Sequence, residues 1–235
     1  MKLSEGKVKH LKALADERGV IAAAAMDQRG SLRKSIAAAK GVAADAISNE
    51  QMEEFKVAVT KVLTPHASAI LLDPEFGLPA AKARSKNAGL LLAYEESGYD
   101  NTKPGRLPDL LPHLSVKRIV DLGADAVKIL IYYTAFDDPG VNDIKHAFVE
   151  RIGAECEHNQ IPFFLEFVGY DHAGGDEKGL EYAKQKPHIV LQSMAEFSKP
   201  QYNVDILKVE VPVNAIYVEG SSVFGGQSAY TRQQA

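Results

Sequence analysis

The chain has 235 residues, 46% of them hydrophobic and 25% charged, with a formal net charge of -4. This is an ordinary globular composition with enough material for one large core, and the expectation is a single domain spanning residues 1–235. Basic residues are scattered rather than gathered in a stripe, which argues against nucleic acid as a partner. Charges occupy the first seven residues where a signal peptide needs an apolar run, and no later run approaches the ~20 apolar residues that cross a bilayer. No membrane association is expected, and a cytoplasmic location is. The single cysteine, Cys156, cannot make an internal disulfide and lies in an acidic helical stretch.

Residues 4–18 carry Val8, Leu11, Leu14 and Ala15 at helical spacing, with Gly19 as a stop, and predict a short amphipathic helix. The apolar run 20–26 is too short for an independent helix and closes on Asp27, Gln28, Arg29 and Gly30, which predicts a strand leading into a loop. The same grammar recurs. Runs at 68–72, 89–93, 126–131, 161–168 and 206–211 predict five more strands, and 50–63, 115–122, 142–157 and 179–197 predict helices between them. Alternation of this kind calls for a parallel sheet, because parallel neighbours need a long crossover. A closed (β/α)8 barrel and an open doubly wound sheet both satisfy it. The open form usually announces itself with a glycine-rich turn after its first strand, whereas this chain has Asp27-Gln28-Arg29-Gly30, so the barrel is favoured.

Lys208 interrupts the apolar run 206–211, so an amine is expected where water is scarce. An unperturbed lysine, with a pKa of ~10.4, leaves about one amine in a few thousand neutral at pH 7; desolvation or a neighbouring cation lowers the pKa and makes a nucleophile for a Schiff base. Alternation puts Lys208 and Glu210 on one face of their strand and Leu207, Val209 and Val211 on the other. Lys128 and Glu166 project inward from their strands by the same logic. Ion pairs buried only for stability compare poorly with apolar packing, so charges from consecutive strands on one interior point to an active site. In that site Lys208 is the candidate nucleophile, Glu166 the proton shuttle and Lys128 the second cation. Glu210 would keep Lys208 protonated, so its carboxylate is predicted to turn to another partner.

Asp27, Gln28 and Arg29 lie at a strand C-terminal end, where barrel enzymes place their active sites. Arg29 is a candidate phosphate ligand and Asp27 a candidate proton relay; a solvated polar turn is the alternative. The seven histidines are scattered, with only His172 close behind a strand end, so no metal and no cofactor are expected. Gly174-Gly175 and Gly225-Gly226 are weak candidates for a phosphate cradle, since flexible loops contain such pairs more often than ligand sites do.

The motifs Asp27-Gln28-Arg29-Gly30, Ile70-Leu71-Leu72-Asp73-Pro74-Glu75, Gly89-Leu90-Leu91-Leu92-Ala93-Tyr94-Glu95, Gly123-Ala124-Asp125-Ala126-Val127-Lys128, Ile161-Pro162-Phe163-Phe164-Leu165-Glu166 and Leu207-Lys208-Val209-Glu210-Val211-Pro212-Val213 resemble the tagatose 1,6-bisphosphate aldolases. These are class I aldolases of the deoxyribose-phosphate aldolase-like superfamily. The resemblance implies that Lys208 is the Schiff-base lysine, Glu166 the acid/base, Lys128 a nearby charged group, and Asp27, Gln28 and Arg29 substrate contacts. It also implies a small-molecule sugar phosphate as partner, cleaved reversibly to dihydroxyacetone phosphate and glyceraldehyde 3-phosphate. Another phosphorylated ketose, such as a sulfosugar phosphate, is the alternative substrate, and a noncatalytic sugar-phosphate-binding regulatory protein the alternative role.

Family members continue through two further strand and helix units, whereas this sequence stops at Ala235 in what reads as the first turns of a helix, 228–235. The expectation is a C-terminally incomplete barrel with exposed edges at its first and sixth strands. Such a chain would be inactive as it stands, or would borrow strands from a partner in a homo-oligomer.

Overall fold

The structure, a computed structural model, describes residues 3–99 and 104–235. Six strands form one parallel sheet in chain order: β1 (Ala23–Met26), β2 (Ala69–Leu72), β3 (Gly89–Ala93), β4 (Ala126–Tyr132), β5 (Phe163–Val168) and β6 (Ile206–Val209). Helices α1 (Glu5–Leu14), α2 (Gly30–Lys40), α3 (Asn49–Leu63), α4 (Leu78–Ala83), α5 (Val116–Asp121), α6 (Pro139–His158) and α7 (Leu180–Phe197) precede and connect them. Their starts are chemically marked. Ser4, Ser48, Ser115 and Asp138 cap α1, α3, α5 and α6 with side-chain oxygens that accept backbone N–H groups, and Ser48 with Gln51 completes a capping box.

Side chains leave the sheet in two sets. Val127, Ile129 and Ile131 of β4 and Phe163, Leu165 and Phe167 of β5 join the large core between sheet and helices, with Leu207 and Val209 of β6 packed against it. The opposite set, Ala69, Leu71, Leu91, Ala126 and Phe164, packs with Leu14 of α1 to fill the lower interior. α1 comes so close to the sheet that a Cβ at Gly89 would lie 2.6 Å from the Ala13 carbonyl oxygen, which explains a glycine at the start of β3. Above this apolar floor the inward set becomes charged, with Lys128, Glu166 and Lys208.

Four expectations need correction. The first helix ends at Leu14 rather than near Arg18, because the Asp16 carboxylate accepts from the backbone N–H groups of Arg18 and Val20 and turns the chain. α2 and α4 lie outside the helices expected: α4 has only six residues, and α2 starts at Gly30, inside the polar stretch that reads as a loop. The last strand ends at Val209, leaves Val211 74% exposed, and is only half-buried throughout. Its neighbour β5 covers one side alone, so residues read as buried stand at an edge. β1 has the same partial exposure, whereas β2 and β3 are wholly buried. Finally, residues 228–235 are no helix: Tyr230 bridges to Val218, and Gln234 and Ala235 close a single turn on Thr231. Among the described residues no helix is long and apolar enough to cross a membrane.

Lys56 of α3 and Asp73 after β2 form an ion pair with both side chains 0% exposed. The same ammonium donates to the carbonyl oxygens of Met26 at 2.6 Å and Gln28 at 2.8 Å, so one buried cation holds the β1 loop from below. Removing one partner of a buried pair strands the other charge, at about 3–5 kcal/mol. Lys56→Met is expected to lower the unfolding free energy by that order in urea titration; a change below about 1 kcal/mol would show that the loop holds its shape without this support.

Candidate active site

The strand ends meet at a cavity of about 260 Å³ lined by Asp27, Gln28, Arg29, Glu95, Lys128, Glu166 and Lys208, among others. β1 and β4 are three ladder spacings apart, roughly 14 Å in a flat sheet. Yet the Asp27 carboxylate after β1 accepts from the Lys128 ammonium of β4 at 2.8 Å. The sheet therefore curls, bringing its first strand round to face the fourth and fifth.

Lys128 is the hub of the site. Its ammonium contacts Asp27 at 2.8 Å, Glu95 at 2.9 Å and Glu166 at 3.1 Å, and its side chain is 2% exposed. Glu166 in turn accepts from Lys208 at 2.6 Å, which joins the three inward charges in one hydrogen-bonded row. Burial opposes the charge on Lys128, but the acidic groups around it, Asp27 and Glu166 among them, outweigh it and hold the ammonium above the ordinary lysine range. Burial likewise opposes charge on Asp27, and Lys128 overcomes it, so that carboxyl lies below its ordinary value. For Glu95 the balance runs the other way. Burial dominates, Asp27 adds repulsion, and the carboxyl is pushed up despite Lys128.

Lys208 itself departs from expectation. Its side chain is 48% exposed, because β6 is a sheet edge and only β5 and Glu166 flank the amine on the inner face. Glu210 behaves as predicted: it pairs with Lys186 at 3.1 Å and accepts from the Gly169 N–H at 2.8 Å, leaving Lys208 to Glu166. Gln28 is exposed at the cavity wall and its carbonyl is held by Lys56. The guanidinium of Arg29 is buried and already engaged, donating to Glu75 at 2.9 Å and to the Glu95 carbonyl oxygen at 2.7 Å. Gly174-Gly175 and Gly225-Gly226 lie away from the cavity lining, in turns closed on Asp171 and Ile216. Among the described residues no group of three or more His, Cys, Asp or Glu side chains is arranged to hold a metal ion.

Sequence reasoning passed over Glu95 and Arg106. Glu95 follows β3 closely as Asp27 follows β1, and that position just beyond a strand was the signal that could have found it. Arg106 lies beyond β3, lines the cavity, pairs with Glu177 and rests against the rings of Tyr99, Tyr132 and Tyr170, tying the loop after β3 to the loop after β5.

The depressed carboxyl of Asp27 contributes stability that is present above its ordinary value of 3.8 and is lost as the pH falls through the lower folded value. Lys128→Met removes the cause. Carbon-13 titration should then show the Asp27 midpoint rising from below 3.8 to above it, as burial and the neighbouring carboxyls take over. An unmoved midpoint would mean that Lys128 does not set the charge of the site.

Residues 21–231 match the model of the DeoC/LacD family aldolases. The chain is 55% identical over 233 residues to tagatose 1,6-diphosphate aldolase 2 of Enterococcus faecalis, covering 99% of itself and 69% of that protein. It is 53% identical over 235 residues to a tagatose 1,6-diphosphate aldolase of Listeria monocytogenes, covering all of itself and 68% of that protein. Among solved structures, a Schiff-base-forming fructose-1,6-bisphosphate aldolase superposes with a TM-score of 0.50 at 15% identity over 86% of this chain and 69% of the other, a likeness of fold. On the family match and the identity across its length, the chain belongs to the DeoC/LacD aldolase family.

Proposed function

We propose that the chain is the aldolase of a ketose bisphosphate, tagatose 1,6-bisphosphate, which it cleaves to dihydroxyacetone phosphate and glyceraldehyde 3-phosphate through a Schiff base on Lys208. The observation that carries this reading is the row Lys208–Glu166–Lys128, with contacts of 2.6 and 3.1 Å inside one cavity. The family and the names of its relatives support the substrate class. The architecture we assign to residues 1–235 is a single domain of the (β/α)8-barrel type, in which six parallel strands in chain order form a partial barrel.

Each residue has a task in that reaction. The Lys208 amine, once it has passed its proton to Glu166, attacks the C2 ketone and forms a carbinolamine; loss of water gives the imine. The protonated imine accepts the electron pair of the breaking C3–C4 bond while the C4 hydroxyl loses its proton, and the aldehyde product leaves. Returning a proton to C3 of the enamine and adding water to the imine release dihydroxyacetone phosphate and restore Lys208. Glu166 lies within reach of the amine for these transfers, a role worth about 10²–10⁴ in rate. Lys128 holds the Glu166 carboxylate in place and offers positive charge to the oxygens of the substrate. Asp27 stays ionised beside it as a second acceptor, and Gln28 and Arg29 contribute the wall that faces the sugar.

Incubation with dihydroxyacetone phosphate followed by borohydride should add the mass of one reduced adduct to the peptide containing Lys208, and Lys208→Met should carry none. Turnover without any trapped adduct would refute the Schiff base. Glu166→Gln is expected to lower kcat by about 10²–10⁴, with little change in the folded fraction by circular dichroism.

A further inference from the structure

The ionisable groups deep in the cavity do not balance if all are charged. Two ammonium groups, Lys128 and Lys208, face three carboxyls, Asp27, Glu95 and Glu166. The other charges of the lining are answered elsewhere: Arg29 by Glu75, Arg106 by Glu177, while Glu96 and Asp109 stand exposed in the lining.

Glu95 is the most enclosed of the three carboxyls. It is 7% exposed, and its backbone is pinned by a bridge to Leu110 and by the Arg29 guanidinium on its carbonyl oxygen at 2.7 Å. Oε1 accepts from Lys128 at 2.9 Å, and Oε2 is shut off from solvent with no hydrogen-bond partner among the described residues. An ionised carboxylate with a bare, buried oxygen is costly, and a proton on that oxygen removes the charge. The groups that face it are Lys128 from β4, and Asp27 and Arg29 from the β1 loop, with Glu166 of β5 across Lys128. Lys128 favours ionisation but is already shared with two other carboxylates, the Arg29 guanidinium is spent on Glu75 and the Glu95 carbonyl oxygen, and a backbone N–H adds a smaller pull toward the carboxylate.

We propose that Glu95 stands in the site as a neutral carboxylic acid, a positioning residue that acts through Lys128 to favour the free amine of Lys208. Burial and the charge of Asp27 favour the neutral form. A neutral Glu95 accepts a hydrogen bond from Lys128 without cancelling its charge, so the positive field of Lys128 still reaches along the row to Lys208 and disfavours a second cation there. Ionisation of Glu95 would add a third negative charge, steady the ammonium on Lys208 and make the nucleophile scarcer. This inference rests on the reading of Lys208 as the amine that condenses with substrate.

Infrared difference spectra should show, at neutral pH, the C=O stretch of an un-ionised carboxylic acid that Glu95→Gln removes. The rate of borohydride-trapped adduct formation should show a fall at the alkaline pH where that band disappears, and Glu95→Gln should lack that step. Should the variant not fold, carbon-13 titration of labelled glutamates in the unsubstituted protein must show one buried carboxyl still protonated at neutral pH. No such band or resonance, a band that survives Glu95→Gln, or the same pH step in both proteins would overturn the proposal. A missing adduct on Lys208 in the unsubstituted protein would instead overturn the Schiff-base reading, because the infrared and carbon-13 results report on Glu95 without any substrate.

Discussion

The Lys128 ammonium, set among Asp27, Glu95 and Glu166, is the interaction on which the upper half of the molecule depends. Those three carboxyls come from the ends of β1, β3 and β5, so a single cation from β4 gathers the ends of strands that a flat sheet would keep apart. Such a cluster is a poor way to gain stability. Desolvating several ions costs more than apolar packing of the same volume, and the lower interior shows that this chain can pack apolar residues there, with Leu71, Leu91, Ala126 and Phe164 on the same faces. The change from apolar to charged along each inward face therefore marks where chemistry replaces packing as the constraint. It falls at Lys128, Glu166 and Lys208, inside β4, β5 and β6, below loops that can supply further groups.

Support for the cluster comes from outside it. Lys56 reaches from α3 to the carbonyl oxygens of Met26 and Gln28, fixing the loop from which Asp27 meets Lys128. Lys7 of α1 pairs with Asp205 at 2.9 Å and Glu157 at 2.7 Å, and Asp205 accepts from the Phe163 N–H, so α1, α6 and the starts of β5 and β6 are joined below the site. These buried ions set the strand starts and loop bases as rigid bodies. Above them the Arg106–Glu177 pair spans from the loop after β3 to the loop after β5.

The periodicity carried much of this and misled at one point. Alternation placed Lys128, Glu166 and Lys208 inside and Val127, Ile129 and Leu207 outside, because in a half-covered strand each residue has only two directions to face. It also required Glu210 to find another partner, which it does in Lys186. What it could not supply was depth. Among the described residues Lys7, Lys56 and Lys145 are the fully buried lysines outside the site, and each lies on a helix, where the two-residue alternation of a strand gives no direction for its side chain. Lys208, in an apolar run, is half exposed because such a run reports the strand and not what flanks it. Glu95 escaped notice for a related reason: a carboxyl at a strand tip reads as solvated unless the curl of the sheet is known.

Lys145 shows that depth alone does not make a nucleophile. Burial, assisted by Arg106 and opposed by Asp137, pushes its pKa down to about 8, yet its amine is spent on the Tyr170 hydroxyl at 2.8 Å and none of its surface reaches the cavity. Lys208 has the opposite endowment: it is open to a ligand and adjacent to a base, but it is not dry. Its activation must then come from its neighbours and from the ligand rather than from burial in the resting fold. In the proposed reaction, a substrate that fills the cavity takes water away from the amine, whose proton passes to Glu166, and leaves Lys128 as the nearest cation in a medium where its charge counts for more. In the reaction proposed above, the amine is therefore completed as a nucleophile by a ligand large enough to exclude water, and not by the resting fold alone.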